Sequence, residues 1–237
     1  MGQTDKSKRS LAVVLAVLWV MALLLRLSLL PHRQVIEGDG MQYATWGWHL
    51  MRGEFDFEYS YLRQPLYPLL TGIFFLLLSD AEIAGRVVSL LLGTFTVLPV
   101  FFLTRALFGE RAGLYAALLI VVHPFLVEFS SQVLTEVPYV FFVSLALWAI
   151  WRAWANRTIL HFAGAGAAWA LAYLVRPEAL PFLFVALVLM GLGGAGKLGN
   201  WAEGQPGDRE TGKCSRGCSI RTGALAALLC FLVFAFP

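Results

Sequence analysis

The stretch LAVVLAVLWVMALLLRLSLL, residues 11–30, decides the fold of this chain. Arg26 is its one charged residue, and a helix of about 20 apolar residues crosses the roughly 30 Å hydrocarbon core of a bilayer. No cleavage site with small residues follows it, and further apolar segments come later in the chain. We therefore interpret the stretch as a retained membrane span and not as a cleaved signal peptide.

The composition extends this interpretation to most of the chain. Hydrophobic residues make up 59%, charged residues 14%, and the mean hydropathy is +0.71, whereas soluble domains carry about 25% charged residues. The pattern predicts an all-α, polytopic transmembrane helix bundle of about six or seven spans. The further predicted spans are 83–107, 112–130, 136–154, 159–175, 178–194 and the beginning of one at 223–236. Residues 66–78 are too short to span comfortably, and they predict a helix lying at the membrane interface.

The basic residues predict how these spans are oriented. With the N-terminus inside, twelve of the eighteen Lys and Arg residues fall on the inner side, and ten of the fifteen acids fall on the outer side, as the positive-inside rule expects. The predicted organisation is a cytoplasmic N-terminus (1–10), a transmembrane domain (11–194) with an outer loop at 31–65, a cytoplasmic linker (195–222) and the start of a further span (223–237). Because a span cannot end in mid-membrane, we expect the chain to be the N-terminal part of a longer protein.

An acidic segment, Glu37–Ala44 (EGDGMQYA), follows the first span. Residues 41–51 predict a short amphipathic helix at the membrane surface, with the rings of Tyr43, Trp46 and Trp48 facing the membrane. Asp39 stands at its N-terminus. One interpretation is a helix N-cap, with Gln42 completing a capping box; the other is a general base that faces a substrate.

Charged residues recur at the outer ends of later spans. Arg63 precedes the interfacial helix, where a cation suits a lipid phosphate or ordinary headgroups. Glu136 begins span four, either as an acid favoured by the helix dipole or as a second acid converging with Asp39. Arg176 and Glu178 flank the turn between spans five and six, as substrate contacts or as a simple anchor.

Metal and nucleic-acid sites are not predicted. Glu54, Asp56 and Glu58 alternate with aromatic residues, which is weak support for a metal site and typical of an extended interfacial segment. Cys214 and Cys218 lack the second ligand pair that a zinc site needs. No basic cluster is interleaved with stacking aromatics, so the net charge of +3 indicates topology and not nucleic-acid binding.

The order of four motifs is more specific than any one of them. The acid Asp39 follows span one, residues 63–68 (RQPLYP) open the interfacial helix, 135–138 (TEVP) follow span three, and 176–178 (RPE) follow span five. In addition, residues 84–93 (AGRVVSLLLG) and 105–109 (RALFG) belong to span two. Over about residues 10–190 this order resembles the GT-C membrane glycosyltransferases, in the branch of protein O-mannosyltransferases and aminoarabinose transferases.

That resemblance implies a function and a set of roles. The donor would be a polyprenyl-phosphate sugar, and the acceptor a hydroxyl on a protein, lipid or polysaccharide at the extracytoplasmic face of the cell membrane. Asp39 and Glu136 would be catalytic. The implied substrate-binding residues are Arg63, which would contact the donor phosphate, Tyr67, Arg176 and Glu178. No cofactor is implied with certainty, and a requirement for a divalent metal is left open.

Two other classes of protein stay open at this point. A transporter or permease would carry broken helices with polar groups at mid-membrane, whereas the ionisable residues here gather at the outer ends of spans. A catalytically inactive membrane fragment would have the same composition as an enzyme.

We predict that an impermeant maleimide labels a Glu58→Cys variant in intact cells. The native Cys214 and Cys218 should react only after the membrane is permeabilised, because positive-inside bias places 195–222 in the cytoplasm. Labelling of position 58 only after permeabilisation would contradict the topology.

Overall fold

The computed structural model describes residues 2–30, 38–54 and 64–195, and every regular element in these ranges is an α-helix. The helices are α1 (Gly2–Leu29), α2 (Gly38–Met51), α3 (Leu66–Leu78), α4 (Ala81–Phe95), α5 (Val97–Phe108), α6 (Glu110–Val122), α7 (Pro124–Phe129), α8 (Glu136–Asn156), α9 (Ile159–Val175) and α10 (Ala179–Ala195). The predicted N-terminal segment 1–10 is part of α1 from Gly2 onward. Beyond residue 195, the predicted linker and further span lie outside the described residues.

The predicted all-α membrane fold is confirmed. Among the described residues, three segments are long and apolar enough to cross a membrane, namely Arg9–Leu29, Ala81–Phe108 and Glu136–Asn156. Leu66–Leu78, Ile159–Val175 and Ala179–Val188 are shorter apolar helices. Large apolar side chains stay exposed along these helices, for example Leu77 at 75% and Val13 at 62%, as expected of a surface that faces lipid.

The chain divides into two units, Met1–Leu183 and Phe184–Pro237, and the contacts below lie within the first. Its main core joins α1, α5, α6, α7 and α8 through Ala22, Phe101, Ala117, Leu126 and Val137, with four further buried apolar residues. A smaller core of Tyr67, Val88 and Val133 joins α3, α4 and the loop before α8.

Prolines affect the helical hydrogen bonding of two predicted spans. Residues 112–130 were predicted as one span, and the structure divides them into α6 and α7 at His123. In span 83–107, Thr96 separates α4 from α5 three residues before Pro99 but keeps helical backbone angles, so Ala81–Phe108 is still one segment long enough to cross a membrane. A proline has no N–H, so it removes the bond to the carbonyl four residues earlier and weakens the helix there. The hydropathy of the sequence shows the apolar runs but not these changes in helical hydrogen bonding.

Arg26 supplies the bond that Pro124 cannot make. The missing proline donor leaves the carbonyl of Ile120 without its helical partner, and Nη2 of Arg26 donates to that carbonyl at 3.2 Å. The same guanidinium donates from Nη1 to the Ala22 carbonyl at 3.1 Å and from Nε to Ser130 Oγ at 3.1 Å. Arg26 is 0% exposed, so its charge is buried and shared among neutral acceptors on α1, α6 and the segment after α7.

Because Gly93 of α4 has no side chain, there is room beside it for the Arg26 guanidinium. A Cβ at Gly93 would lie 2.9 Å from Val137 Cγ1 and 3.1 Å from Arg26 Nε, and would also overlap Ser130 Oγ. The position therefore requires glycine for close approach. This close approach places α4 against the start of α8.

The surface helix α2 packs on α3 through glycine. A Cβ at Gly47 would lie 2.6 Å from the Pro68 carbonyl oxygen and 2.9 Å from the backbone nitrogen of Gly72. Trp46 is 4% exposed, so the prediction that its ring faces the membrane is wrong. The helix begins at Gly38, three residues before the predicted start, and it buries this side against protein.

We predict that Gly47→Ala destabilises the folded protein by at least about 1–3 kcal/mol, because the atoms it meets are backbone and cannot rotate away. Gly164→Ala on α9 is the matched control, since a Cβ there meets nothing within 4 Å. Alanine should be neutral or stabilising by up to about 1 kcal/mol at that helical position. Thermal unfolding in detergent measures both. Equal midpoints for the two variants would contradict this close contact.

Candidate active site

The beginning of α8 and the end of α9 meet because the two helices form a hairpin. Only Arg157 and Thr158 separate them, and Arg157 turns the chain with φ 50°. A connection this short makes the helices antiparallel neighbours. Glu136, the first residue of α8, therefore faces Arg176, which follows the last residue of α9.

Glu136 and Arg176 form an ion pair. Arg176 Nη2 lies 3.1 Å from Glu136 Oε1, and the two side chains are 23% and 25% exposed for Glu136 and Arg176 respectively. Two of the residues singled out from the sequence are thus brought together. Because the pair is mostly removed from water, its attraction is screened less than that of an exposed pair.

Tyr139 extends this site by one helical turn. The Arg176 guanidinium carbon lies 6.0 Å from the centre of the Tyr139 ring, and Tyr139 is only 5% exposed. Tyr139 Oη and Glu136 Oε2 are both buried, and neither has a hydrogen-bond partner among the described residues. Buried polar atoms are seldom left without partners, so this corner has unused hydrogen-bonding capacity.

Tyr67 of α3 is close enough to Glu136 to be affected by its charge. It is 0% exposed, its hydroxyl donates to the Gly85 carbonyl at 3.2 Å, and it lies 3.0 Å from Ser89 Oγ. Burial raises the pKa of the Tyr67 phenol well above its ordinary value, and the nearby negative charge of Glu136 adds to the increase. Tyr67 is therefore a neutral residue that fixes α3 against α4, and its predicted contact with substrate stays a prediction.

Ser89 continues the connection toward α8. Its Oγ donates to the carbonyl of Leu134 at 3.5 Å, and a Cβ at Gly85 would meet Val133 Cγ1 at 2.5 Å. The loop that leads into α8 is therefore held closely against α4. This contact positions Glu136 two residues beyond Leu134.

Asp39 is exposed and lies in the first turn of α2. The helix begins at Gly38, so Asp39 lies in its first turn, where the helix dipole favours an acid. The N-cap and general-base interpretations of Asp39 both stay predictions. Tyr43 follows one turn later, and its ring meets that of Tyr67 edge-on with centroids 5.4 Å apart. This aromatic contact links α2 to the region of Glu136. The convergence of Asp39 and Glu136 on one site stays a prediction.

The remaining candidates are placed as follows. Glu178 is exposed in the turn after Arg176. Glu54 pairs with His49, with Oε2 2.6 Å from Nδ1. Arg63, Glu37, Asp56, Glu58, Cys214 and Cys218 lie outside the described residues. Within residues 2–30, 38–54 and 64–195, no cluster of three or more His, Cys, Asp or Glu side chains could hold a metal ion.

Sequence reasoning missed two residues that the structure makes prominent. No partner for Arg26 is predicted from the sequence, although a lone charge inside an apolar span is itself a signal of a specific partner. Tyr139 was missed because an aromatic residue in a span usually faces lipid or core. Its position three residues after Glu136, on the same helical face, was the available signal.

Comparison with known proteins adds a family relationship. The family model described as dolichyl-phosphate-mannose-protein mannosyltransferase matches residues 63–198. That range contains Glu136, Tyr139 and Arg176. No curated protein matches the chain significantly.

We predict that Glu136 and Arg176 are energetically coupled. In a double-mutant cycle of Glu136→Gln, Arg176→Gln and both together, the coupling free energy of unfolding should be about 0.5–3 kcal/mol, as for contacting partly buried groups. Chemical unfolding in detergent gives the four stabilities. The same cycle on Arg105 and Glu110, whose side chains are 42% and 47% exposed at 3.5 Å, should give less than about 1 kcal/mol. Additive effects at Glu136 and Arg176 would contradict the ion pair.

Proposed function

Because this chain belongs to the dolichyl-phosphate-mannose-protein mannosyltransferase family, with a match across more than half its length, we propose a specific reaction for it. The protein transfers a sugar from a polyprenyl-phosphate donor to an acceptor hydroxyl at the extracytoplasmic face of the cell membrane. The observation that carries the proposal is the Glu136–Arg176 ion pair. It lies inside the matched segment, at the start of the apolar helix α8 and just after the end of the apolar helix α9.

The proposed reaction is a direct displacement at the sugar carbon. The acceptor oxygen forms a bond to this carbon, while the bond from the carbon to the phosphate oxygen breaks. The polyprenyl phosphate leaves with the electron pair, and the acceptor proton passes to a carboxylate acting as general base. The configuration at the sugar carbon is inverted.

Asp39 is the proposed base. It is exposed in the first turn of α2, so an acceptor arriving from the aqueous phase can reach its carboxylate. Glu136 has one oxygen on Arg176. The proton is assigned to Asp39 because of its exposed position and because the family resemblance gives this residue the role of the active-site acid.

The proposed phosphate contact is Arg63. A guanidinium beside the leaving phosphate stabilises the negative charge that develops there. Arg63 precedes α3, whose apolar residues include Leu76 and Leu77, 64% and 75% exposed. These exposed apolar side chains suit a neighbouring polyprenyl tail. Glu178 and Arg176 border the same outer region in the proposed topology.

We predict that Asp39→Asn in the natural full-length protein lowers sugar transfer by about 10²–10⁴-fold, the usual cost of losing a general base. Asparagine is nearly isosteric with aspartate, so folding and membrane insertion should be unchanged. The measurement is transfer from radiolabelled polyprenyl-phosphate mannose in membranes at matched expression. An Arg63→Ala variant should chiefly weaken donor use.

The matched control is Asp80→Asn. Asp80 caps α4 by accepting from the backbone nitrogens of Glu82 and Ile83, each at 2.9 Å, and asparagine can keep this cap. Transfer by Asp80→Asn should equal that of the wild type. Wild-type turnover by Asp39→Asn would reject Asp39 as the base. Donor-dependent movement of a solute without sugar transfer would reject the transferase in favour of a transporter.

A further inference from the structure

Unused hydrogen-bonding groups gather where α8 begins. Glu136 Oε1 is taken by Arg176, while Glu136 Oε2 and Tyr139 Oη are buried and have no partner among the described residues. Tyr139 is 5% exposed, so folding removes its hydroxyl from water without providing a hydrogen bond from the described protein residues. Leaving such a group unpaired carries a desolvation cost, which a bound polar ligand would remove.

We propose that Glu136, Tyr139 and Arg176 form a subsite for neighbouring hydroxyl groups of the donor sugar. This inference rests on the proposed function and adds a role that the general reaction does not require. Glu136 then acts as a sugar-binding carboxylate, and Tyr139 is a specificity-determining residue.

The chemistry of the three groups favours a neutral polyol. Glu136 Oε2 accepts a hydrogen bond from one hydroxyl, and Tyr139 Oη can donate to or accept from the next. Arg176 has further N–H donors beyond the one directed at Glu136. A sugar presents hydroxyls that both donate and accept, which matches this mixed set.

An anion does not fit the same corner. The Glu136 carboxylate already balances the charge of Arg176, and its free oxygen would repel the donor phosphate at close range. Among the described residues, no group of three His, Cys, Asp or Glu side chains stands at this corner to hold a cation. We therefore assign the donor phosphate to another part of the site, and the donor sugar to the corner formed by Glu136, Tyr139 and Arg176.

The surrounding contacts keep the subsite rigid. The loop before α8 is held by the bond from Ser89 to the Leu134 carbonyl at 3.5 Å, and Val137 packs beside Gly93. Binding groups held in place by their neighbours lose little freedom when a ligand arrives. A substitution that removes only the Tyr139 oxygen should leave this framework intact.

The test compares two lipids in detergent with the natural full-length protein. Intrinsic tryptophan fluorescence is titrated with polyprenyl-phosphate mannose and with the sugar-free polyprenyl phosphate. The wild type should bind the mannosylated lipid more tightly. Tyr139→Phe should weaken that binding by about 3- to 10-fold, the loss of one hydrogen bond, and should leave the sugar-free lipid unchanged.

Matched variants separate sugar binding from folding. Tyr173→Phe on α9 removes a hydroxyl from a 38% exposed tyrosine and should not alter either affinity. Tyr139→Phe should melt at the wild-type temperature or above it, since the lost hydroxyl has no protein partner. A purely structural Tyr139 would leave the preference for the mannosylated lipid unchanged, and that result would overturn the subsite.

The remaining outcomes are also decisive. Equal wild-type affinity for both lipids would overturn the subsite while the proposed donor class survives. Failure of the wild type to bind either lipid would overturn the proposed function itself. In a parallel transfer assay, Tyr139→Phe that raises the KM for acceptor and not for donor would overturn the assignment to the donor sugar.

Discussion

Pro124 cannot donate a hydrogen bond to the carbonyl of Ile120, and the Arg26 guanidinium donates one in its place at 3.2 Å. In a membrane domain this exchange matters because no water is present in the hydrocarbon region to satisfy an open carbonyl. It ties α1 to the point where α6 ends. A second bond, to Ser130 Oγ at 3.1 Å, ties α1 to the segment that continues toward α8.

The geometry of the candidate site depends on these hydrogen bonds of Arg26. Gly93 allows α4 to approach both Arg26 and Val137, so the start of α8 is set against the same guanidinium that completes α6. Glu136 directly precedes Val137 in the sequence, and the α8–α9 hairpin places its partner Arg176 beside it. The buried Arg26 cation and the partly buried ion pair of the candidate site are thus connected through a few consecutive side chains.

Hydropathy and charge were sufficient to predict the helical class, the approximate limits of most apolar helices and the candidate residues Glu136 and Arg176. Both lie beside helix ends that the sequence marks with Pro138 and Pro177. Their pairing, the buried position of Trp46 and the bonds of Arg26 could not be read in the same way. Each depends on atoms distant in sequence, such as the 94-residue separation of Arg26 and Ile120, and periodicity carries only local information.

That separation also bears on how the protein is made. Translation proceeds from the N-terminus, so α1 enters the membrane before the residues that accept hydrogen bonds from Arg26 have been synthesised. An arginine near a span centre costs about 2.5–3.5 kcal/mol on insertion scales, less toward the interface. Arg26 lies in the last turn of α1, from which its side chain can snorkel to lipid phosphates or water. The first span can therefore insert before α6 and α7 are made, with the Arg26 guanidinium at the interface, and assembly of the bundle then moves this guanidinium from the lipid into the protein.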